Sequence, residues 1–201
     1  MKIRAFSGSI VDPSIGAHAV VNASNPSVGL GSGVSGAIRE ACGGPAFQSE
    51  VRERLEEEFG ESLESGDCLV TTAGTCAAFR WVLHVAAVDY RRPDPQTGGP
   101  SGPRRIRTCF QGALREAVAL ADAGRLAGSF VLAAPLLGAG HGGLGAVAAL
   151  DAMMGGLRDH LDTCPAEDRP AIGQLVFAVP NSSEARLVPL AAARHGFLVS
   201  E

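Results

Sequence analysis

The stretch VVNASNPSVGLGSGVSGAI, Val20 to Ile38, decides how this chain is read. An apolar strand ends in two asparagines, and a string of small residues then leads into a helix. Glycine carries no Cβ, so backbone N–H groups in such a turn can converge on one point. The start of the following helix adds a partial positive charge. A second construction of the same kind is AAPLLGAGHGGLGAVAAL, Ala133 to Leu150, where Gly138, Gly140, Gly142 and Gly143 lie between a strand and a helix. Each turn reads as an anion cradle, most often one for phosphate. In a parallel sheet both lie at the carboxyl edge of the strands, where α/β proteins bind ligands. Two facing cradles suggest a diphosphate held between them.

The rest of the chain fits that frame. Strand-length apolar runs recur at Ile3–Ile10, Ala19–Ala23, Cys68–Ala73, Trp81–Val88, Ser129–Pro135 and Gln174–Val179. Several are continuously apolar, as strands covered on both faces should be. Helical patterns lie between them. Phe47, Val51, Leu55 and Phe59 recur at a spacing of four, with Gly60 as the expected C-cap. Further helices are expected over Ile106–Ala123, Ala146–Leu161 and Ser183–His195. The expected fold is α/β: three α/β/α layers around a central mixed, largely parallel sheet. No repeat or break in composition divides residues 1–201, so a single domain is expected. Arg91 to Arg105, rich in proline and glycine, reads as a solvated excursion loop.

Composition excludes several function classes. The 201 residues carry a formal charge of −4, and aromatic residues make up only 5%. Neither suits a protein that neutralises nucleic-acid phosphates or stacks unpaired bases. No apolar run reaches the ~20 residues needed to span a bilayer, and the N-terminus does not resemble a secretory signal. The five cysteines, Cys42, Cys68, Cys76, Cys109 and Cys164, contain no CxxC pair. They are expected to be reduced thiols in a cytoplasmic protein, with no disulfide framework and no metal site.

Other glycine motifs fit less well. The GxGxxG-like spacing in GLGSGVSG sits well after the strand tip and lacks a clear acidic partner twenty positions on. Neither loop ends in GK[ST], which excludes a P-loop. Gly33-Val34-Ser35-Gly36-Ala37 approaches a nucleophile elbow but lacks its second glycine.

Taken together, VVNASN (Val20–Asn25), the run Gly31–Ile38, GDCLVTTAG (Gly66–Gly74), WVLHVAAV (Trp81–Val88) and APLLGAGHGGL (Ala134–Leu144) resemble the macrodomain family, whose members bind ADP-ribose. The likeness covers about residues 3 to 180. It implies that residues 1–201 are one macrodomain with ADP-ribose as ligand and no metal or cofactor. Gly31, Ser32, Gly33 and Val34 would wrap the diphosphate, and Gly138, Ala139, Gly140, His141 and Gly142 would close over it. Asn25, with Ser24 beside it, would reach the distal ribose near C1″. Ser9 and Ile10 fall where the family reads adenine.

The chain departs from the family pattern at several positions. Ser9 stands where an aspartate usually accepts from the adenine amino group, with Asp12 nearby as a substitute. Ser35 and Arg39 replace the aspartate and histidine of one hydrolase type, and Lys2 is the only lysine, so the lysine-dependent type is missing too. Val179-Pro180 stands where an aromatic usually packs on the base. The activity implied is removal of single ADP-ribose units from modified proteins, as acidic-residue esters. Such a reaction needs little beyond charge stabilisation at C1″ and a placed water, which the ligand's own diphosphate can assist. Asn25 and His141 are the expected catalytic residues. A non-catalytic reader of ADP-ribose or a related nucleotide is the alternative, and another phosphorylated metabolite remains open. The expected partners are mono-ADP-ribosylated proteins; no membrane is implied, and nucleic acid enters only as an ADP-ribosylated substrate. His84, inside an apolar strand, reads as a satisfied core histidine. Asp89 is a candidate carboxylate behind the site. His18, His160 and His195 carry no readable signal.

Overall fold

The parallel pairing of five strand ends onto one edge is what builds the site. The computed structural model describes residues 1–126, 129–163 and 172–199; Cys164 lies outside them. The strands are β1 (Lys2–Ser7), β2 (Ala19–Ser24), β3 (Leu69–Thr72), β4 (Trp81–Ala86), β5 (Phe130–Ala134) and β6 (Ile172–Val179). They form one sheet in the order β1-β6-β5-β2-β4-β3. Every pairing is parallel except β3 with β4, which is antiparallel. The carboxyl ends of β1, β6, β5, β2 and β4 therefore share one edge. At about 4.8 Å between neighbouring strands, that edge is about 19 Å long.

Helices α1 (Gly33–Cys42), α2 (Pro45–Phe59), α3 (Pro103–Asp122), α4 (Ala146–Thr163), α5 (Ser182–Ala185) and α6 (Leu187–Arg194) cover the sheet. Side chains alternate between two cores, which explains the unbroken apolar runs. Ala19 and Val21 of β2, with Leu83 and Val85 of β4, enter the core beneath α3 and α4. Val20 and Val82 enter the core beneath α1 and α2, with Ile38, Phe47, Val51 and Leu55.

Proline and glycine set several helix ends. α2 starts with Pro45 and stops at Gly60, whose φ is 73°. α3 begins at Pro103, three residues before Ile106, because proline is pre-set for the first helical position. The expected single helix over Ser183–His195 is instead two, divided at Arg186. Pro189 lacks an N–H and its ring crowds the carbonyl four residues back, so the α5 turn cannot run on unbroken into α6. The first strand stops at Ser7 rather than Ile10, because Gly8 turns with φ 152°.

One buried polar chain crosses the sheet beneath α1. The Ser35 hydroxyl lies 2.8 Å from Asn22 Oδ1 and 2.9 Å from the Ala23 carbonyl oxygen. Asn22 Nδ2 donates to His84 Nδ1 at 3.0 Å, so the His84 Nε2–H donates to Thr71 Oγ1 at 3.0 Å. His84 is a satisfied core histidine as expected, and burial pushes its pKa down to about 3 from an ordinary 6.5. The unfolded chain takes up this proton near pH 6.5 and the folded chain does not until about 3. Stability from this group is thus complete above pH 6.5 and is lost as pH falls through that window.

Urea unfolding of wild type and His84→Leu between pH 7 and 4.5 checks this. The variant loses roughly 1–3 kcal/mol at pH 7 because Asn22 and Thr71 lose a partner. The gap then narrows by roughly 1 kcal/mol per pH unit below 6.5. Parallel pH profiles for the two proteins would refute a neutral His84.

Candidate functional site

A cavity of about 820 Å³ runs along the carboxyl edge of the sheet. Its walls follow the strand order. Gly8, Ser9 and Ile10 lie beyond β1, and Ala178, Pro180 and Glu184 at and beyond β6. Pro135, Leu136 and Gly138 to Gly142 follow β5, Ser24 ends β2 with Asn25, Gly29 and Gly31 to Ser35 beyond it, and Val88 and Tyr90 follow β4. All the residues expected at the site line this one cavity: Ser9, Ile10, Ser24, Asn25, Gly31, Ser32, Gly33, Val34, Gly138, Ala139, Gly140, His141 and Gly142.

The two glycine loops face each other. A Cβ placed on Gly33 would lie 3.9 Å from His141 Cε1 and Nδ1. Both loops present backbone donors without protein acceptors. Gly33, Val34 and Ser35 open α1, so their N–H groups have no intrahelical partner. Ser32 occupies the N-cap position but makes no side-chain capping bond. Across the cleft, the N–H groups of Gly140, His141 and Gly142 make no hydrogen bond among the described residues. Among the described residues, no lysine or arginine lines the cavity. Any anion held there would be held by amides and by the α1 dipole.

The geometry of each loop has a local cause. In the second loop, Leu144 N–H donates to the Gly138 carbonyl at 3.1 Å, curling the chain tightly. Gly138 has φ 76°, and a Cβ on Gly142 would sit 2.4 Å from the Gly138 oxygen, so both positions require glycine. In the first loop, Asn25 Oδ1 accepts from Gly29 N–H at 3.0 Å and from Ser27 Oγ at 3.2 Å. That leaves the Asn25 Nδ2 donor without a protein partner among the described residues. Val28 is fully buried with φ 47°, a strained conformation for a β-branched residue, costing about 1–3 kcal/mol.

Gln48 on α2 holds that strained turn. Its Oε1 accepts from Leu30 N–H at 2.7 Å and its Nε2 donates to the Val28 carbonyl at 3.2 Å. Nothing in the sequence singled out Gln48, because its two partners lie 18 and 20 residues away across an irregular loop.

Ser24 is the other informative wall residue. It is 3% exposed, and its hydroxyl has no hydrogen-bond partner among the described residues. Such groups are rare in folded proteins and call for an explanation. A ligand in the cavity that Ser24 lines would supply one.

Other expectations change. Asp12 is not a wall residue: its carboxylate caps a single 3-10 turn, accepting from Ser14 N–H at 2.8 Å. The Ser14 side chain first, and its backbone N–H second, lower the Asp12 pKa. Asp89, expected behind the site and not in its wall, lies outside the cavity. Its Oδ1 accepts from Arg91 and Arg92 N–H, its Oδ2 pairs with Arg105 at 3.5 Å, and it thereby organises the excursion loop. That loop is also partly neutralised by the pairing of Arg92 with Glu64. Arg39 pairs with Glu40 and stays outside the cavity. Ser35 reaches the wall, but its hydroxyl points back to Asn22 and the Ala23 carbonyl. It is a tie between α1 and β2, not a free base. Glu184 and Tyr90 were missed because each follows its strand in a segment without a recognisable motif.

Gln48→Ala should free the first loop while keeping the fold. Stability should fall by roughly 1–2 kcal/mol, and the Leu30 amide should exchange with solvent at least tenfold faster. Unchanged exchange at Leu30 would mean that Gln48 does not hold the loop.

Comparison with known proteins places this geometry. The Macro domain family matches residues 21–153. A macro domain-containing protein of Streptomyces griseus is 32% identical over 118 residues, 59% of this chain and 61% of that protein. The matched part of the chain thus spans about three fifths of that relative's length. A substituted macrodomain of Oceanobacillus iheyensis, solved with ADPR, superposes with a TM-score of 0.73. It is 18% identical, and the match covers 94% of this chain and 91% of that one. A Trypanosoma brucei macrodomain in complex with ADP-ribose superposes at 0.67, with 22% identity over 94% of this chain and 68% of that one. With the family match over most of its length and the same fold around the cavity, this chain belongs to the Macro domain family.

Proposed function

We propose that the chain binds ADP-ribose along the carboxyl edge of its sheet and removes single ADP-ribose units from modified proteins, most readily as acidic-residue esters. One observation carries the binding half: two rows of backbone N–H groups, Gly33–Ser35 and Gly140–Gly142, without protein acceptors among the described residues, line a cavity to which none of those residues brings a lysine or arginine. A diphosphate spanning the cleft gives both rows acceptors at once. The base would then lie towards Ser9 and Ile10, and the distal ribose towards Ser24 and Asn25. The solved macrodomains that hold ADP-ribose or ADPR support this choice of ligand.

The chemical half rests on Asn25 and His141. Asn25 Nδ2 is free to donate to a hydroxyl of the distal ribose, while Oδ1 keeps the loop in place. His141 is exposed on the opposite jaw. Cleavage of the ester would break the bond from C1″ to the carboxyl oxygen. Water would add at C1″, the freed carboxylate would leave with the electron pair, and the water's proton would pass to a diphosphate oxygen or to His141. The fixed diphosphate offsets positive charge at C1″ as it develops. A second reading, a non-catalytic reader, is favoured by Ser35, whose hydroxyl is committed to Asn22 and the Ala23 carbonyl and leaves no carboxylate base beside the distal ribose.

Gly140→Glu tests the ligand. Nothing lies within 4 Å of a Cβ at Gly140, so the variant folds and places a carboxylate in the cradle. Calorimetry should show ADP-ribose affinity reduced at least a hundredfold; undiminished affinity would remove the site assignment.

A thermal-shift panel of ADP-ribose, ADP, NAD and RNA ranks the ligands. The true one adds about 2.7 kcal/mol of stability at a hundred times its Kd. Release of free ADP-ribose from an ester-modified protein decides between hydrolase and reader. Release in the wild type that Asn25→Ala loses supports the hydrolase, while binding without release identifies a reader.

A further inference from the structure

Among the described residues, the cavity carries one carboxylate, Glu184, and one imidazole, His141, but no lysine or arginine. A carboxylate beside a bound diphosphate would weaken binding by like-charge repulsion, so its position matters. Glu184 follows β6, and the parallel pairing puts β6 between β1 and β5. Gly8 N–H donates to the Val179 carbonyl at 2.8 Å, which ties the Ser9 segment to the start of the Pro180 segment. Glu184 therefore lies at the β1–β6 end of the cleft, and the first glycine loop lies beyond β5, at the tip of β2.

Its carboxylate is held rather than free. Asn181 Oδ1 accepts from Glu184 N–H at 2.9 Å and from Ser183 Oγ at 2.6 Å. Asn181 Nδ2 in turn donates to Glu184 Oε1 at 3.2 Å. This reciprocal cap orients the side chain and leaves Oε2 without a protein donor among the described residues. Glu184 is half-buried in the wall. The neighbouring Ser9 hydroxyl both donates and accepts, so it does not distinguish an amino group from a carbonyl; a carboxylate accepts only.

We infer that Glu184 is the residue by which this cavity selects a nucleobase bearing an exocyclic amino group. The inference rests on the nucleotide reading above. An amino donor relieves the one carboxylate that the cavity holds, whereas a ring carbonyl at the same place sets two acceptors against each other. Ser9, where an acidic residue would do the same work from β1, leaves that role open, and the acceptor comes from the β6–α5 junction instead.

Calorimetry with ADP-ribose and its hypoxanthine counterpart, on wild type, Glu184→Gln and Glu184→Gln combined with Ser9→Asp, tests this. The glutamine side chain keeps an acceptor for Asn181 Nδ2, so the cap and fold survive. The wild type should prefer the amino base by about tenfold or more. Glu184→Gln should reduce that preference below about threefold or reverse it, since a glutamine amide can donate to the carbonyl. Adding Ser9→Asp should restore it. A wild type that binds both ligands equally, or a Glu184→Gln variant with undiminished preference, overturns the inference and leaves the ligand class standing. A wild type that binds neither removes the nucleotide reading as well.

Discussion

Backbone amides without acceptors are the constraint on which this structure turns. Folded chains pair nearly all of their buried N–H groups, because leaving one unpaired costs as much as a lost hydrogen bond. Here two rows of N–H groups, Gly33–Ser35 at the start of α1 and Gly140–Gly142 in the second loop, have no protein acceptor among the described residues and belong to residues that line one solvent-open cleft. A chain with a net charge of −4 does not draw an anion in by long-range attraction. It holds one by short-range geometry, with donors fixed before the ligand arrives. Preorganised donors of this kind lose little on binding, which is why the loops must be rigid.

Much of the surrounding structure serves that rigidity. Gln48 reaches from α2 to hold both sides of the Val28 turn, and Val28 stores strain that the fold must offset elsewhere. Behind α1, the chain from Ser35 through Asn22 and His84 to Thr71 ties the helix to three strands. A neutral imidazole suits this role: one nitrogen accepts and the other donates, so the chain is satisfied without a buried charge. The same tie has a chemical consequence. A serine hydroxyl committed to Asn22 and the Ala23 carbonyl is not available to activate water, so any hydrolysis must lean on the ligand and on Asn25 or His141.

Charge placement divides the cleft by function. The middle is neutral and amide-lined, as an anion requires. The one carboxylate that the described residues bring to it, Glu184, stands at the β1–β6 end, and a donor amide, Asn25 Nδ2, stands at the β2 end. Each group suits the part of a nucleotide sugar that the strand order would bring to it.

Local pattern in the sequence was enough for the apolar centre of each strand and for the two glycine loops with the wall residues those loops contribute. Apolar runs covered on both faces, glycines at strand tips and a helix following each are short-range signals, and parallel pairing alone brings such tips to one edge. That is why the loops holding Gly33 and His141 were legible together, whereas Ser9 and Asn25 were singled out by the resemblance to the macrodomain family. Tertiary structure alone decided the rest, because those residues act across distances that a one-dimensional pattern does not carry. Gln48 finds its partners 18 and 20 residues away, and Ser35 turns inward only because Asn22 stands opposite it. Asp12 and Asp89 looked like site residues by proximity in the chain, but each is taken up by the backbone N–H groups of its own turn. Glu184 follows β6, which enters the sheet beside β1 only through the crossover order, so its place in the cleft depended on how the strands were arranged.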